Sequence, residues 1–409
     1  MIIRKIRPEE LKRTSELFSI AFEYGMDSQK SAAEVYEETV SHPKSREDVY
    51  WMERWAAFED DDRTMMSYFS AKPFPVQFDG NVYTMTGIGG VSSLPQYRRS
   101  GGIRGCFEAA LPAMYKDGVA FSYLYPFSTA YYRKFGYEMG CSVLQYHVRL
   151  DSFKRFATDG FCSLAEPGNL MYEEICQIYR AWQKKYNMMI ANESYEFDWA
   201  LNSNPVKDQE FTYVYRSKGN VPLGYMTVKQ VTESDGRNLQ CSRFCCVNAE
   251  GLKGLLNLLL SLGTDHAYAT FELPADMDLS LILPEWSMGA ASMKKFFAGM
   301  VRVVNVEKVL YGARYQGSGS LSIQISDKQI PENCGVFTVS FENQKAFSVV
   351  KDSAATPDLS MGINEFSRLI IGEGGVASME FMDNITVHGS LSEIEKVFYP
   401  KPSLIREYF

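Results

Sequence analysis

Residues 82–118 leave the fewest choices of fold in the chain: VYTMTGIGGVSSLPQYRRSGGIRGCFEAALPAMYKDG. The apolar run before Pro95 reads as a strand. Glycines at 87, 89 and 90 within it predict a bulge, or a place where another group approaches the backbone closely. Arg98, Arg99 and Arg104 then surround Gly101, Gly102 and Gly105, and a helix follows to the Asp117-Gly118 stop. Glycine admits left-handed angles. A helix start offers unpaired N–H groups and the positive end of the dipole. Guanidinium forks suit phosphate. The segment reads as strand, anion-binding turn, helix. Spacing alone leaves a second possibility open, a surface turn with solvated arginines.

Three arginines at one turn stand out because the chain carries a formal net charge of -8. That balance argues against general nucleic-acid binding, which needs a basic surface, yet permits a local basic pocket. At 409 residues the chain predicts two or three domains, and 45% hydrophobic with 22% charged residues is globular. The start, MIIRKIRPEELKRTSELF, lacks a signal-peptide pattern, and no stretch is long and apolar enough for a transmembrane helix. The eight cysteines are scattered without a CxxC pair, and His42, His147, His266 and His388 lie far apart. Reduced thiols, no metal site and a cytoplasmic location are therefore expected.

Along residues 1–149 the pattern is strand, helix, three antiparallel strands, helix, strand, short helix (STAYYRKFGYEMG) and strand. Within residues 1–25 the helix follows Pro8-Glu9-Glu10 and carries apolar Leu11, Leu17, Phe18, Ala21 and Phe22. Residues 150–287 repeat this order in degenerate form. There CVNAEGLKG stands where the arginine turn stood, with no arginine. Residues 288–409 change style, with strand-like SLSIQIS, GVFTVSFEN and KAFSVVK, then helix MGINEFSRLIIG, and an unusual aromatic end, Tyr408-Phe409.

Walker and GxGxxG phosphate motifs are absent. What remains is R-x-x-G-x-apolar after a bulged strand, the pattern of the GNAT N-acyltransferases. GIGGVSSLPQYRRSGGIRG followed by SYLYPFSTAYYRKFGYEMG resembles the Eis (enhanced intracellular survival) family of GNAT acetyltransferases. The resemblance spans the whole chain. It implies an α+β fold of tandem GNAT domains, the second without a cofactor site, followed by a sterol-carrier-protein-like α/β domain. It implies an acetyl-CoA-dependent N-acetyltransferase acting on a polyamine or aminoglycoside-like small molecule through a ternary complex, in a homo-oligomer, a hexamer by family habit.

Residue by residue, the resemblance places Val91, Ser92 and Ser93 along the pantetheine arm. Arg98, Arg99, Ser100, Gly101, Gly102, Ile103 and Arg104 would hold the pyrophosphate, and Phe127 and Ser128 the thioester end. Tyr132 falls at the general acid, with Tyr131 as neighbouring alternative. The Phe409 carboxylate falls at the base. Ile103, where the signature usually has Gly or Ala, and Ser100, where a third arginine is common, depart from the pattern but leave the amide cradle intact. An acidic pocket would suit a polycation, and Glu59-Asp60-Asp61-Asp62 is a candidate contributor, with a solvated turn as its plainer interpretation. Two other functions fit the domain plan: a lipid- or sterol-binding carrier with a vestigial GNAT domain, and a protein-lysine acetyltransferase.

Overall fold

The computed structural model describes residues 1–23, 25, 30–34, 37, 53–166, 168–169, 171–191, 204–233, 236–352 and 354–409; His42 lies outside them. The chain forms two compact units. One holds residues 1–140, 299–401 and 408–409, the other residues 141–298 and 402–407.

The first unit opens with β1 (Ile2–Lys5), α1 (Leu11–Phe22), β2 (Glu53–Phe58), β3 (Met65–Phe78) and β4 (Asn81–Ser93). Then come α2 (Gly102–Lys116), β5 (Phe121–Leu124), α3 (Thr129–Arg133) and β6 (Glu138–Met139). The hairpin turn Asp79-Gly80 joins β3 to β4, both residues at positive φ. Pro73 and Pro75 lie past Ala71, where β2 stops pairing, so they sit on an edge that tolerates a missing N–H. Apolar residues of α2 recur at helical spacing, with Ile103, Cys106, Phe107, Ala110, Leu111 and Met114 all buried. They pack with Trp55, Phe69 and Ile88 from β2, β3 and β4 to form the core.

The second unit holds β7 (Ser142–Arg149), β8 (Phe161–Leu164), α4 (Tyr172–Lys185), α5 (Pro205–Asp208), β9 (Glu210–Arg216), β10 (Pro222–Glu233), β11 (Gly236–Cys246), α6 (Ala249–Leu262), β12 (Tyr268–Pro274) and β13 (Ala291–Phe297). Its seven-stranded sheet runs β13-β7-β12-β11-β10-β9-β8. The repeat expected from sequence is visible in the order of elements. β9-β10-β11-α6-β12 copies β2-β3-β4-α2-β5, including a parallel step from β11 to β12 and a register shift between β10 and β11.

The remaining elements belong to the first unit: β14 (Met300–Val303), α7 (Val306–Gly312), β15 (Gly319–Ser326), β16 (Gly335–Glu342), β17 (Lys345–Lys351), β18 (Leu359–Gly362), α8 (Ile363–Ile370), α9 (Val376–Met379), β19 (Thr386–Val387) and α10 (Leu391–Val397). The five-stranded sheet β17-β16-β15-β18-β19 has a filled interior. Leu321, Ile323, Phe337, Phe341, Phe366 and Phe398 are all buried there.

Strand membership departs from the order in which the strands were grouped by sequence. β7 joins the sheet of the second unit, and β14 lies between β5 and β6 in the first sheet, antiparallel to both. β14 carries Arg302, fully buried against Asp327 at the end of β15, 2.8 Å away. Asp327 also accepts from Asn333 Nδ2 and from the amides of Gln329 and Ile330. Gly136, at φ 83°, runs over this guanidinium, and a Cβ there would overlap Arg302. Nothing local in residues 299–303 announces such a partner.

Candidate active site

β4 and β5 pair in parallel only from Met85↔Phe121 to Ile88↔Leu124. β4 continues along β3 to Ser93, but between the Ser70↔Gly89 and Tyr68↔Ser92 pairs it has two residues where β3 has one. Gly90, at φ 60°, takes this bulge. The Ser70 hydroxyl donates to the Gly89 carbonyl (2.9 Å), and that of Ser92 to the Gly90 carbonyl (2.8 Å), bracing it. Past the end of the shared ladder opens a cavity of about 860 Å³. Val91, Ser92, Ser93, Arg98, Arg99, Ser100, Gly101, Gly102, Ile103, Arg104 and Phe127 all line it.

The arginine turn has the geometry of an anion cradle. Arg99 (φ 67°) and Gly101 (φ 94°) both take left-handed angles, which turn successive amides toward one side. Gly101 is the N-cap of α2, and among the described residues no side chain caps this helix, so its first amides are left without intrahelical partners at the cavity wall. Arg98, Arg99 and Arg104 are exposed and, among the described residues, have no ion-pair partner. Gly102 is needed for packing: a Cβ there would come within 2.7 Å of Ser67 Oγ. The corresponding helix of the second unit, α6, differs in one telling way. The Asn248 side chain accepts from the Gly251 amide at 3.0 Å and closes that helix end. The donor set at α2 therefore fits the pyrophosphate of a CoA thioester, and that at α6 does not.

Of the residues expected at the thioester end, Phe127 is exposed on the cavity wall. Ser128 is the N-cap of α3, its hydroxyl accepting from the Tyr131 amide (3.4 Å), and it is not among the lining residues. Tyr132 is 1% exposed, packed edge-on against Phe107, Phe127, Tyr131 and Tyr137. Burial pushes its hydroxyl well above the ordinary tyrosine range, so it stays protonated. Tyr131 lines the cavity instead, its own value also raised by burial.

Phe409 lies on β4. Its ring covers Gly87, where a Cβ would overlap it, and its carbonyl carbon and oxygen lie 2.7 Å from where a Gly89 Cβ would stand. Gly87 and Gly89 are two apart and so share one strand face. The glycines seen in the sequence thus have separate uses: two admit Phe409 and the third makes the bulge. Phe74, Tyr125 and Tyr123 surround the Phe409 ring at centroid distances of 5.1, 5.5 and 6.4 Å.

The acidic run lies elsewhere and resolves as the turn. Glu59 accepts from Tyr97, Asp60 from the Met1 amine, Asp61 from the Arg63 and Thr64 amides, and Asp62 from Arg4 and Arg7. Ala21, Phe22, Tyr97, Lys134 and Phe135 complete the cavity wall without having been expected there, beside Tyr131, the alternative acid. The signal for α1 was its excess of apolar residues: Leu11 and Leu17 suffice for the core, while Phe18 and Phe22 remain exposed.

Residues 2–140 match the acetyltransferase (GNAT) domain model, and residues 306–405 match the sterol carrier protein domain model. No curated protein sequence matches the chain. Similar solved structures include a conserved protein from Enterococcus faecalis V583, 23% identical, TM-score 0.83, covering 100% of this chain and 99% of that one. A GCN5-related N-acetyltransferase from Anabaena variabilis ATCC 29413 is 18% identical with TM-score 0.80, and Eis1 from Mycobacterium abscessus 17% with TM-score 0.78. Each of these two covers 100% of both chains. At such identities the likeness is one of fold. With the domain matches and the cradle geometry beside it, residues 2–140 are a GNAT acetyltransferase domain and residues 306–405 a sterol carrier protein domain, in a chain with the fold of Eis1.

Proposed function

We propose that this acetyltransferase moves an acetyl group from acetyl-CoA to an amine of a small molecule, with both bound at once. The observation that carries the proposal is the Phe409 carboxyl group over Gly89, two residues along β4 from Val91, where the cavity wall begins. In this reading the carboxylate serves as the base, close to where the β4–β5 ladder ends at Ile88.

Bound acetyl-CoA supplies the activated acyl carbon and a thiolate leaving group. The amides of Gly101, Gly102 and Ile103, with Arg98, Arg99 and Arg104, hold the pyrophosphate. Val91–Ser93 direct the arm, and Phe127 shields the thioester end. The Phe409 carboxylate holds the incoming ammonium and takes its proton, directly or through one water. Tyr132, kept protonated by burial, donates from Oη as sulfur departs. Catalysis would reside in residues 1–149 together with β14 and Phe409, with 150–287 as the capped, cofactor-free copy. The filled interior of the C-terminal sheet weighs against a lipid carrier. No described helix is long and apolar enough to cross a membrane, and a cytoplasmic homo-oligomer, hexameric by family habit, completes the proposal; sedimentation tests the assembly.

The test is thiol release from acetyl-CoA with kanamycin, spermidine and simple amines as acceptors. The same assay is run on a variant extended past Phe409. Turnover that vanishes on extension while acetyl-CoA still binds supports the carboxylate base; a fully active extended protein removes it.

A further inference from the structure

Tyr132 sits on a helix of little more than one turn. α3 has five residues, too few to hold a helix in water without outside support. Its first amides are served from within the segment, by the hydroxyl and carbonyl of Ser128. Its other end is held from more than 220 residues along the chain. Asn364, the second residue of α8, donates from Nδ2 to the Arg133 carbonyl (3.0 Å) and to the Tyr137 carbonyl (2.9 Å). Two carbonyl acceptors fix which end of this amide is the nitrogen. One side chain thus ties both ends of the turn 133–137, in which Gly136 takes φ 83°. Gln329 Nε2, past the end of β15, adds a longer contact of 3.5 Å to the Lys134 carbonyl between them.

The turn so tied builds the seat of the Tyr132 ring. Phe135 stacks on Phe107 at a centroid distance of 4.4 Å, and Phe107 and Tyr137 both meet Tyr132 edge-on, at 6.0 and 6.4 Å. Tyr137 is buried, with its hydroxyl 2.6 Å from Ser122 Oγ. The Arg133 side chain is engaged within its own segment, 2.7 Å from Glu138, so what α8 holds is backbone. Asn364 does not line the cavity of the arginine turn. We infer that Asn364 is a positioning residue for the acid: through the two carbonyls it sets where Tyr132 Oη stands when sulfur departs. Asn364 falls within the sterol carrier protein match, so in this chain that domain serves acetyl transfer by bracing α3. The inference rests on the acid role proposed for Tyr132.

The test is a double-mutant cycle on the full-length protein. Asn364→Ala removes the donor, and Asn364→Asp keeps the shape but offers the two carbonyls no proton. The position is only half-buried, so both variants fold, which melting temperature checks. Each is made in the parent and in a Tyr132→Phe background and assayed by thiol release with kanamycin, spermidine and simple amines. In the parent, kcat falls about 10–100-fold, the cost of a reacting group displaced by up to about 1 Å, while acetyl-CoA affinity by calorimetry stays within about threefold. In Tyr132→Phe the further loss is about twofold or less, because no acid is left to misplace. Equal losses in both backgrounds, parent-like kcat in both Asn364 variants, or an affinity loss that matches the kcat loss each overturns the positioning role. A slow Tyr132→Phe beside any of these removes the inference and leaves the acid standing. A parent-like Tyr132→Phe, or no thiol release with any amine, removes the acid reading and the inference with it.

Discussion

Gly89→Ala is the most direct probe of the site, because the residue's angles are ordinary and only space forbids a side chain. A Cβ there would stand 2.7 Å from the carbonyl carbon and oxygen of Phe409, against 3.4–4 Å for ordinary contact, so the carboxyl group must move by roughly 0.7–1.3 Å. A misplacement of about 1 Å in a reacting group costs on the order of 10²-fold in rate, about 2.7 kcal/mol of barrier. The expected outcome is a kcat lowered about 100-fold with acetyl-CoA affinity unchanged, because the cavity wall starts beyond, at Val91. Gly87→Ala provides a second arm. It overlaps the Phe409 ring, so its cost should largely disappear in a Phe409→Ala background, where the ring is gone and the carboxylate remains. Thiol-release kinetics give kcat, and calorimetry gives the affinity. A Gly89→Ala enzyme within threefold of the parent kcat would show that the carboxylate takes no part in the rate-limiting chemistry.

Four further outcomes are expected. Arg99→Ala or Arg104→Ala should weaken acetyl-CoA about 10–100-fold, as loss of a charge-assisted contact worth about 1.5–3 kcal/mol implies; equal affinity by calorimetry would make those arginines solvated. Tyr132→Phe should lower kcat by about 10²-fold or more with acetyl-CoA binding intact, and parent-like turnover would pass the acid role to Tyr131 or water. Because burial raises the Tyr132 value, the acid stays protonated as pH rises, so the kcat profile should show no falling alkaline limb below about pH 10; a limb near 8 would contradict the assignment. Asp327→Ala leaves Arg302 buried and unpaired, so urea unfolding should show about 3–5 kcal/mol lost; a loss below 1 would mean that water replaces the carboxylate.

What the sequence discloses depends on the range of the interactions. The bulged strand, the arginine turn and α2 are local patterns of glycine, charge and helical period, and they appear where those patterns stand. The repeat is legible too, since CVNAEGLKG lacks arginines. That Asn248 closes the helix end there is a cap visible only once the helix start is fixed. Gly87 and Gly89 do carry a signal, a two-residue spacing on one strand face, but their partner is more than 300 residues away in the chain. The wall residues Ala21 and Phe22 look like core on an amphipathic helix, because hydrophobicity cannot say which apolar face meets protein and which meets a cavity. Lys134 follows the YYR segment as an ordinary surface cation, and only the tertiary fold puts it on the cavity wall.

The position of β14 has a consequence for biosynthesis. The catalytic sheet reads β5-β14-β6, so between completing residue 140 and residue 303 the ribosome leaves it with a vacant slot flanked by two unpaired edges. At about 5–20 residues per second that interval lasts roughly 8–30 s. Throughout it, Phe121–Leu124 lacks the neighbour that buries it. Nascent chains stalled in this window should recruit holdase chaperones, and residues 1–140 produced alone should aggregate unless the Met300–Val303 strand is supplied in trans.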